Sequence, residues 1–177
     1  MAKILAFAGS NSSTSINYQL VKHSVSLIGD HEIQLLNMVN YPFPMYSADL
    51  EKEEGYSNSL VELKNDIQKS DALLLSVNEH NSNPSAYFKN VLDWLSRLER
   101  KFLQDKKILL MSASMGKRGG IGALSVVEVM LPRFGADIIS TFALASYGEN
   151  FSKEKGILDA ELAKGHEDAL ARFLKAL

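Results

Sequence analysis

The sequence predicts an α/β fold, a doubly wound, five-stranded parallel sheet with helices on both faces. Two observations carry this. Short apolar runs alternate with segments whose apolar residues recur at helical spacing, giving strand-then-helix five times. The runs are apolar throughout rather than alternating, as in strands covered on both faces. Right-handed crossovers then make the sheet doubly wound.

Residues 3–8 form the first strand, nearly all apolar. The polar stretch 9–15 follows, and Ser15 caps a helix over about 16–28, with Leu20, Val21 and Val25 inward. Ile33, Leu35 and Leu36 support a second strand over 31–37. Pro42 and Pro44 break regular structure in a long loop, 38–55. Leu60, Leu63 and Ile67 mark a helix over 57–69, and Ala72–Val77 is the clearest strand. After the polar loop 78–84, residues 85–98 carry the stripe Phe88, Val91, Leu92 and Leu95 of an amphipathic helix. A strand at 107–111, a loop at 112–120 and a helix over 121–134 with Gly135 at its C-cap come next. A fifth strand over 137–143 and a final helix over 159–177 complete the chain, the helix directing Leu170, Phe173, Leu174 and Leu177 inward. No linker or repeat divides residues 1–177, so one domain is expected.

Composition narrows the function. The chain is 46% apolar and 23% charged, with a net charge of −2. That balance argues against a nucleic-acid binder driven by counterion release. There is no cysteine, which excludes disulfides, thiolate nucleophiles and cysteine-ligated metals, so redox chemistry would need a bound cofactor. No apolar run is long enough to cross a bilayer, and the opening residues lack a secretory pattern. The expectation is a full-length cytoplasmic protein with no membrane contact. His23, His31 and His166 read as scattered surface residues without metal-ligand spacing, and no metal is assigned. Trp94 reads as packing, within the subunit or across a dimer contact.

Ligands of such sheets sit outside the carboxyl ends of the strands, at the switch in strand order. Three loops lie there. The first holds six consecutive hydroxyl or amide side chains, Ser10 to Ser15, at a helix N-terminus, a setting suited to a phosphate monoester. It lacks the three glycines of a dinucleotide fingerprint and the Gly-Lys-Ser/Thr of a Walker A loop. The second, residues 78–84, offers main-chain groups to the polar edge of a heterocycle, with His80 placed either against a ring face or in solvent. Glu79 is too isolated to name as a general base. In the third, residues 112–120, Gly119 and Gly120 permit close approach, while Lys117 and Arg118 are either a phosphate contact or a solvated pair. A phospho-receiver domain of the same topology is rejected, because Ala8-Gly9 and Val77-Asn78 stand where its acidic residues belong.

Taken together, the loops resemble the NADPH-dependent FMN reductase family, which includes quinone, azo-dye and chromate reductases of flavodoxin-like fold. The family's Gly-Ser-x-Arg-x-x-Ser-x-Asn-x-x-Leu is answered by Gly9-Ser10-Asn11-Ser12-Ser13-Thr14-Ser15-Ile16-Asn17-Tyr18-Gln19-Leu20. Its Pro-Glu-Tyr-Asn, then Pro and Leu-Lys-Asn-x-Ile-Asp-Trp-Leu-Ser-Arg, is answered by Asn78-Glu79-His80-Asn81, Pro84 and Phe88-Lys89-Asn90-Val91-Leu92-Asp93-Trp94-Leu95-Ser96-Arg97. Ser112-Ala113-Ser114, Gly116 and Gly119-Gly120 match its third segment in part.

The resemblance implies strand order 2-1-3-4-5 and bound FMN. Ser10, Ser12, Ser15, Ile16 and Asn17 would surround the phosphate, with Ser12 where arginine is usual. Asn78, Glu79, His80 and Asn81 would run along the isoalloxazine, and Ser114, Met115 and Gly116 would flank its other side. NADPH or NADH would be the co-substrate. A quinone, azo compound, metal oxyanion or free flavin would accept electrons, with no catalytic side chain required for the hydride step. Homodimers or homotetramers are implied. Asn78, His80 and Met115 replace proline, tyrosine and proline of the family pattern, which leaves the substrate open. The rival reading is a non-catalytic FMN carrier or redox-sensing module.

Overall fold

The computed structural model describes residues 1–177. The main strands are β1 (Lys3–Ala8), β2 (Glu32–Leu36), β3 (Ala72–Val77), β6 (Lys107–Ala113) and β7 (Asp137–Leu144). They form one parallel sheet in the order β2-β1-β3-β6-β7, which is 2-1-3-4-5 among the main strands, as the resemblance implies. Around the sheet lie α1 (Ile16–Ser26), α2 (Ala48–Glu54), α3 (Asn58–Lys69), α4 (Ala86–Leu98), α5 (Ile121–Met130), α6 (Tyr147–Asn150) and α7 (Ala160–Ala176). Two small hairpins complete the molecule: β4 (Glu79–His80) with β5 (Asn83–Pro84), and β8 (Phe151–Ser152) with β9 (Gly156–Ile157).

The alternation of side chains along each strand explains the two cores. Leu5, Phe7, Leu73, Leu75, Ile108 and Leu110 face α3, α4 and α5. Ile4, Ala6, Ala8, Leu74, Leu109 and Met111 face α1 and α7. The alanines on the second face let α1 lie close, with Leu20 and Val21 fully buried against them. Each large side chain so buried stabilises the fold by about 1.5–3 kcal/mol. Phe88, Val91, Leu92 and Leu95 of α4 are all in the first core.

Local sequence sets the helix starts. The hydroxyls of Ser15, Ser57 and Ser85 and the carboxylate of Asp159 each accept the third helical N–H of α1, α3, α4 and α7. At the far end of α5, Pro132 removes a donor and the last turn tightens to a 3-10 helix, Leu131–Phe134, closed by Gly135 as expected.

The stretch expected as a long loop, 38–55, is more ordered than its prolines imply. It contains a 3-10 turn, Met38–Asn40, and α2, capped by Ser47. No residue of α2 is buried, which is why apolar periodicity gives no signal for it. Side chains of α4 hold the segment: Trp94 Nε1 and Asn90 Nδ2 donate to the Pro44 carbonyl at 2.8 and 2.9 Å. Trp94 thus packs within the chain, edge-on to Tyr46 and Tyr56. Arg97 donates to both oxygens of Glu51, at 2.9 and 3.2 Å, and the Tyr46 and Tyr56 hydroxyls donate to the same carboxylate. Arg97, then Tyr56 and Tyr46, pull the Glu51 pKa down to about 2.

His166 corrects the surface reading given above. It is 1% exposed, with Nε2 2.7 Å from the Ser24 hydroxyl, its ring edge-on to Phe142 and 5.4 Å from that of His23. Burial, then the neighbouring His23, pushes its pKa down to about 4. Burial also lowers that of His23.

The consequence is a stability loss on mild acidification. The unfolded chain protonates His166 near its ordinary 6.5 while the folded chain resists until about 4. Stability therefore falls as pH drops through that window, by on the order of 3 kcal/mol at its lower end. The Glu51 contribution has the opposite origin and is lost only below its ordinary 4.5, towards 2. Urea midpoints at pH 7 and pH 4.5 should differ clearly in the wild type and much less in His166→Leu. An equal acid-side loss in that variant would contradict the assignment.

Candidate functional site

The strand order reverses between β1 and β3, so the crease at their carboxyl ends is where this topology places ligands. Loops 9–15, 78–85 and 114–120 border it. One buried amide organises all three. Asn17, the second residue of α1, is 2% exposed. Its Nδ2 donates to the Ala113 carbonyl at 3.1 Å. Its Oδ1 accepts from the Ser76 hydroxyl at 2.7 Å and from the Ala113 N–H at 2.9 Å. The first turn of α1 is thereby bolted to the last residues of β3 and β6. The Asn17 side chain is consumed in this bridge and points into the sheet. Its main-chain N–H, like that of Ile16, has no acceptor within the chain and lies at the helix N-terminus.

Around those amides stand hydroxyls. Ser10 and Ser15 are buried, whereas Asn11, Ser12, Ser13 and Thr14 are exposed. Ser15 Oγ accepts from the Tyr18 N–H at 3.2 Å and Ser10 Oγ from the Ser12 N–H at 3.3 Å, which leaves both hydroxyl protons free to donate. Ser12 and Thr14 share a contact of 3.2 Å at the rim. Residues 9–17 include no lysine or arginine, so any anion here is answered by dipoles alone. Gly9 has a packing reason. A Cβ there would stand 2.4 Å from Cδ2 of Phe88, whose ring passes directly beneath.

The second loop is a hairpin rather than an irregular loop. Asn81 and Ser82 turn it, with φ of 53° and 60°. Ser85 joins it to the first loop by donating to the Gly9 carbonyl at 3.2 Å. Asn78 Nδ2 lies 3.3 Å from His80 Nε2, and Asn78 Oδ1 is buried with no hydrogen-bond partner. A buried acceptor without a donor costs about 1–3 kcal/mol, and this one lies in the loop that borders the crease. The side chains of His80 and Asn81 are exposed. The Glu79 carboxylate turns away from the crease, its Oε2 accepting from the Ala123 N–H at 3.0 Å.

The third loop is strapped down at both ends. Ser112 Oγ donates to the Gly119 carbonyl at 2.7 Å. The Ser146 N–H donates to the Gly116 carbonyl at 2.9 Å, and the Tyr147 N–H to the Ser114 carbonyl at 3.0 Å. Ser114 Oγ and Gly116 form a tight turn, while Met115 is 68% exposed. Lys117 and Arg118 are exposed, with no carboxylate partner. Segment 145–147 has no part in the sequence-level reading. Its only local cue is polarity after a strand, and its role is visible only through these long-range bonds.

The donor set suits a phosphate monoester and the polar edge of a ring. Two unpartnered helical amides and two buried hydroxyls cluster within residues 10–17, and the main chain of 78–81 lies in the bordering hairpin. Sheet order and loop placement together define a flavodoxin-like domain. The family model described as NADPH-dependent FMN reductase matches residues 2–149, and the chain belongs to that family. Among curated proteins it is similar to a quinone reductase of Escherichia coli, at 36% identity over 77 residues, 44% of this chain. The match spans only 41% of that protein. An NAD(P)H-dependent FMN reductase of Pseudomonas aeruginosa is 27% identical over 118 residues, 66% of this chain and 62% of that protein. Among solved structures, the flavoenzyme NAD(P)H:(acceptor) oxidoreductase FerB of Paracoccus denitrificans superposes with a TM-score of 0.81 at 24% identity, covering 99% of this chain and 96% of its own, a likeness of fold.

Removing the Asn17 amide should be costly. Asn17→Ala leaves the Ser76 hydroxyl and both main-chain groups of Ala113 buried without partners, a loss of about 2–4 kcal/mol. Ser12→Ala at the exposed rim should change stability by less than about 0.5 kcal/mol. Urea unfolding of both variants measures the contrast, and a mild Asn17→Ala would show that the bridge is not holding the loops.

Proposed function

We propose that residues 1–177 form a single FMN-binding domain and that the protein is an NAD(P)H-dependent oxidoreductase. It passes electrons from NADPH or NADH through FMN to a small acceptor: a quinone, an azo compound, a metal oxyanion or free flavin. The observation that carries this is the pair of unpartnered amides, Ile16 and Asn17, beside the buried hydroxyls of Ser10 and Ser15 at the β1–β3 crease. Family membership supports it, and the name of the Escherichia coli relative favours a quinone among the acceptors.

The residues divide the work. Ser10, Ser12, Ser15 and the amides of Ile16 and Asn17 would hold the phosphate, the helix dipole standing in for the missing arginine. Main-chain groups of 78–81 and Asn78 Oδ1 would meet the polar edge of the ring. Ser114, Met115 and Gly116 would border its other side. When bound, FMN supplies the hydride-accepting, electron-donating ring. The chain orients it with groups that are already fixed, so little ordering cost falls on binding. Lys117 and Arg118 are the free cations on the rim.

A second copy of the chain is the expected partner, in a dimer or tetramer. α5 is apolar almost all round, with Ile121 and Val129 43% and 68% exposed. No helix is long and apolar enough to cross a membrane, and a cytoplasmic setting fits the absence of cysteine.

The test is spectroscopic. After incubation with FMN and desalting, the protein should stay yellow, bleach with NADPH or NADH and recolour with a quinone. A retained chromophore that neither nicotinamide bleaches would select the carrier reading. No retention would overturn both. Ser10→Ala should weaken FMN about tenfold, the scale of a hydrogen bond to a charged group, and leave riboflavin affinity unchanged. An equal effect on both ligands would place Ser10 away from the phosphate.

A further inference from the structure

α5 begins without a cap of its own. Gly120, at its N-cap, has φ of 79° and no side chain to offer. The acceptor arrives from another loop: Glu79 Oε2 takes the Ala123 N–H at 3.0 Å. The fit is close. A Cβ on Gly122 would stand 2.7 Å from Glu79 Oε2 and 2.8 Å from the Ser82 carbonyl. The β4–β5 hairpin therefore presses directly on the first turn of α5. Its turn residues, Asn81 and Ser82, both have positive φ, as a two-residue hairpin turn requires. Asn83 Nδ2, donating to the Asn81 carbonyl at 3.1 Å, is a bond within the hairpin, whereas the Glu79 carboxylate anchors it to the first turn of α5.

We propose that Glu79 is a positioning residue for the flavin. By capping α5, its carboxylate sets the height at which the main chain of 78–81 meets the ring. It also ties that loop to the glycine turn leading into α5, so the two borders of the crease move as one body. This rests on the FMN reading above. The Glu79 side chain itself touches no ligand. Its carboxylate faces a helix N-terminus that answers its charge, not the reacting ring.

Four variants test the role: Glu79→Ala, Glu79→Gln, Gly122→Ala and, as a control, Ser57→Ala. The control removes the cap of a different helix, α3, where Ser57 Oγ accepts the Leu60 N–H at 3.3 Å. For each, the FMN dissociation constant, the visible circular dichroism of the bound flavin and the melting temperature of the apoprotein are measured. Glu79→Ala and Gly122→Ala should raise the dissociation constant about tenfold and alter the flavin dichroism, the size of effect expected when a site of fixed groups loosens. Glu79→Gln keeps an acceptor for the Ala123 N–H and should stay within about threefold of wild type, because a neutral oxygen still caps. Ser57→Ala should lower the melting temperature and leave affinity and dichroism unchanged.

Wild-type affinity and dichroism in Glu79→Ala would overturn the proposal. So would weakening by Ser57→Ala to the same degree, since stability alone would then explain the result. A Glu79→Gln variant as weak as Glu79→Ala would overturn it too, by making the charge rather than the cap responsible. If the wild-type protein retains no FMN, the underlying reading falls first and this role falls with it. Wild-type retention with an unaffected Glu79→Ala removes the positioning role alone.

Discussion

Everything at the carboxyl edge of the sheet depends on the buried amide of Asn17. Where parallel strands stop, their last N–H and C=O groups lose the ladder and need other partners. β3 and β6 stop side by side, and Asn17 answers both, through the Ser76 hydroxyl and through the N–H and C=O of Ala113. The bonds are buried, so none is exchanged for water at low cost. They also fix where α1 begins. A helix start pinned over two strand ends presents its free amides to one spot, and loop 9–15 has to close around that spot. Further along, the Ser24–His166 contact ties the same helix to α7. The helix is held by polar contacts set into a face that otherwise packs apolar side chains, Leu20 and Val21 among them.

The electrostatics follow from which helix starts are already answered. α5 is neutralised by the Glu79 carboxylate. α1 is not: Ser15 satisfies a single amide, and no charged side chain follows within the loop. α4 likewise has only its serine cap and no acidic residue in its first turn, so the start of α1 is one free positive pole at the crease, worth up to about 2 kcal/mol to an anion in partly buried surroundings. A loop with Ser12 in place of arginine relies on that term and on hydroxyl donors. Both are short-ranged, which makes exact placement of the loop more important than its net charge. The Asn17 bridge supplies that placement.

Much of this was legible in the sequence. Apolar runs gave the five strands, and Ser15 gave the start of α1 as a cap; Ser57, Ser85 and Asp159, read as the first residues of their helices, prove to be caps as well. What escaped did so for physical reasons. α2 buries nothing and leaves no periodic trace. The β4–β5 hairpin is only two residues a side, and its turn is held by a glutamate whose partner is 44 residues away. Two side-chain directions were readable from helical spacing, that of His166 against the surface reading given it. Asn17 shares the stripe 17, 20, 21, 24 with Leu20, Val21 and Ser24, all buried, so helical spacing already aims its side chain at the sheet rather than the loop. His166 lies on the stripe of Ala169, Leu170 and Phe173 in the same way. A polar residue in an apolar stripe is a structural node until shown otherwise, because burial demands a partner for it.

These ties divide the crease into a fixed part and a free one. Loop 9–15 hangs from α1, the hairpin from α5 and from Gly9 through Ser85, and loop 114–120 from segment 144–147. Each loop is thus tied to another element of the fold. A cofactor meeting these loops thus finds its main-chain partners already placed, and the entropy of ordering them is spent in folding rather than in binding. The side chains of Asn81, Met115, Lys117 and Arg118 are exposed and make no hydrogen bond, and His80, exposed as well, touches only Asn78. They form the rim. In the proposed oxidoreductase the cofactor would be read by the rigid floor, and the choice of acceptor would fall to this adaptable edge, where Met115 and His80 stand in place of the family's proline and tyrosine.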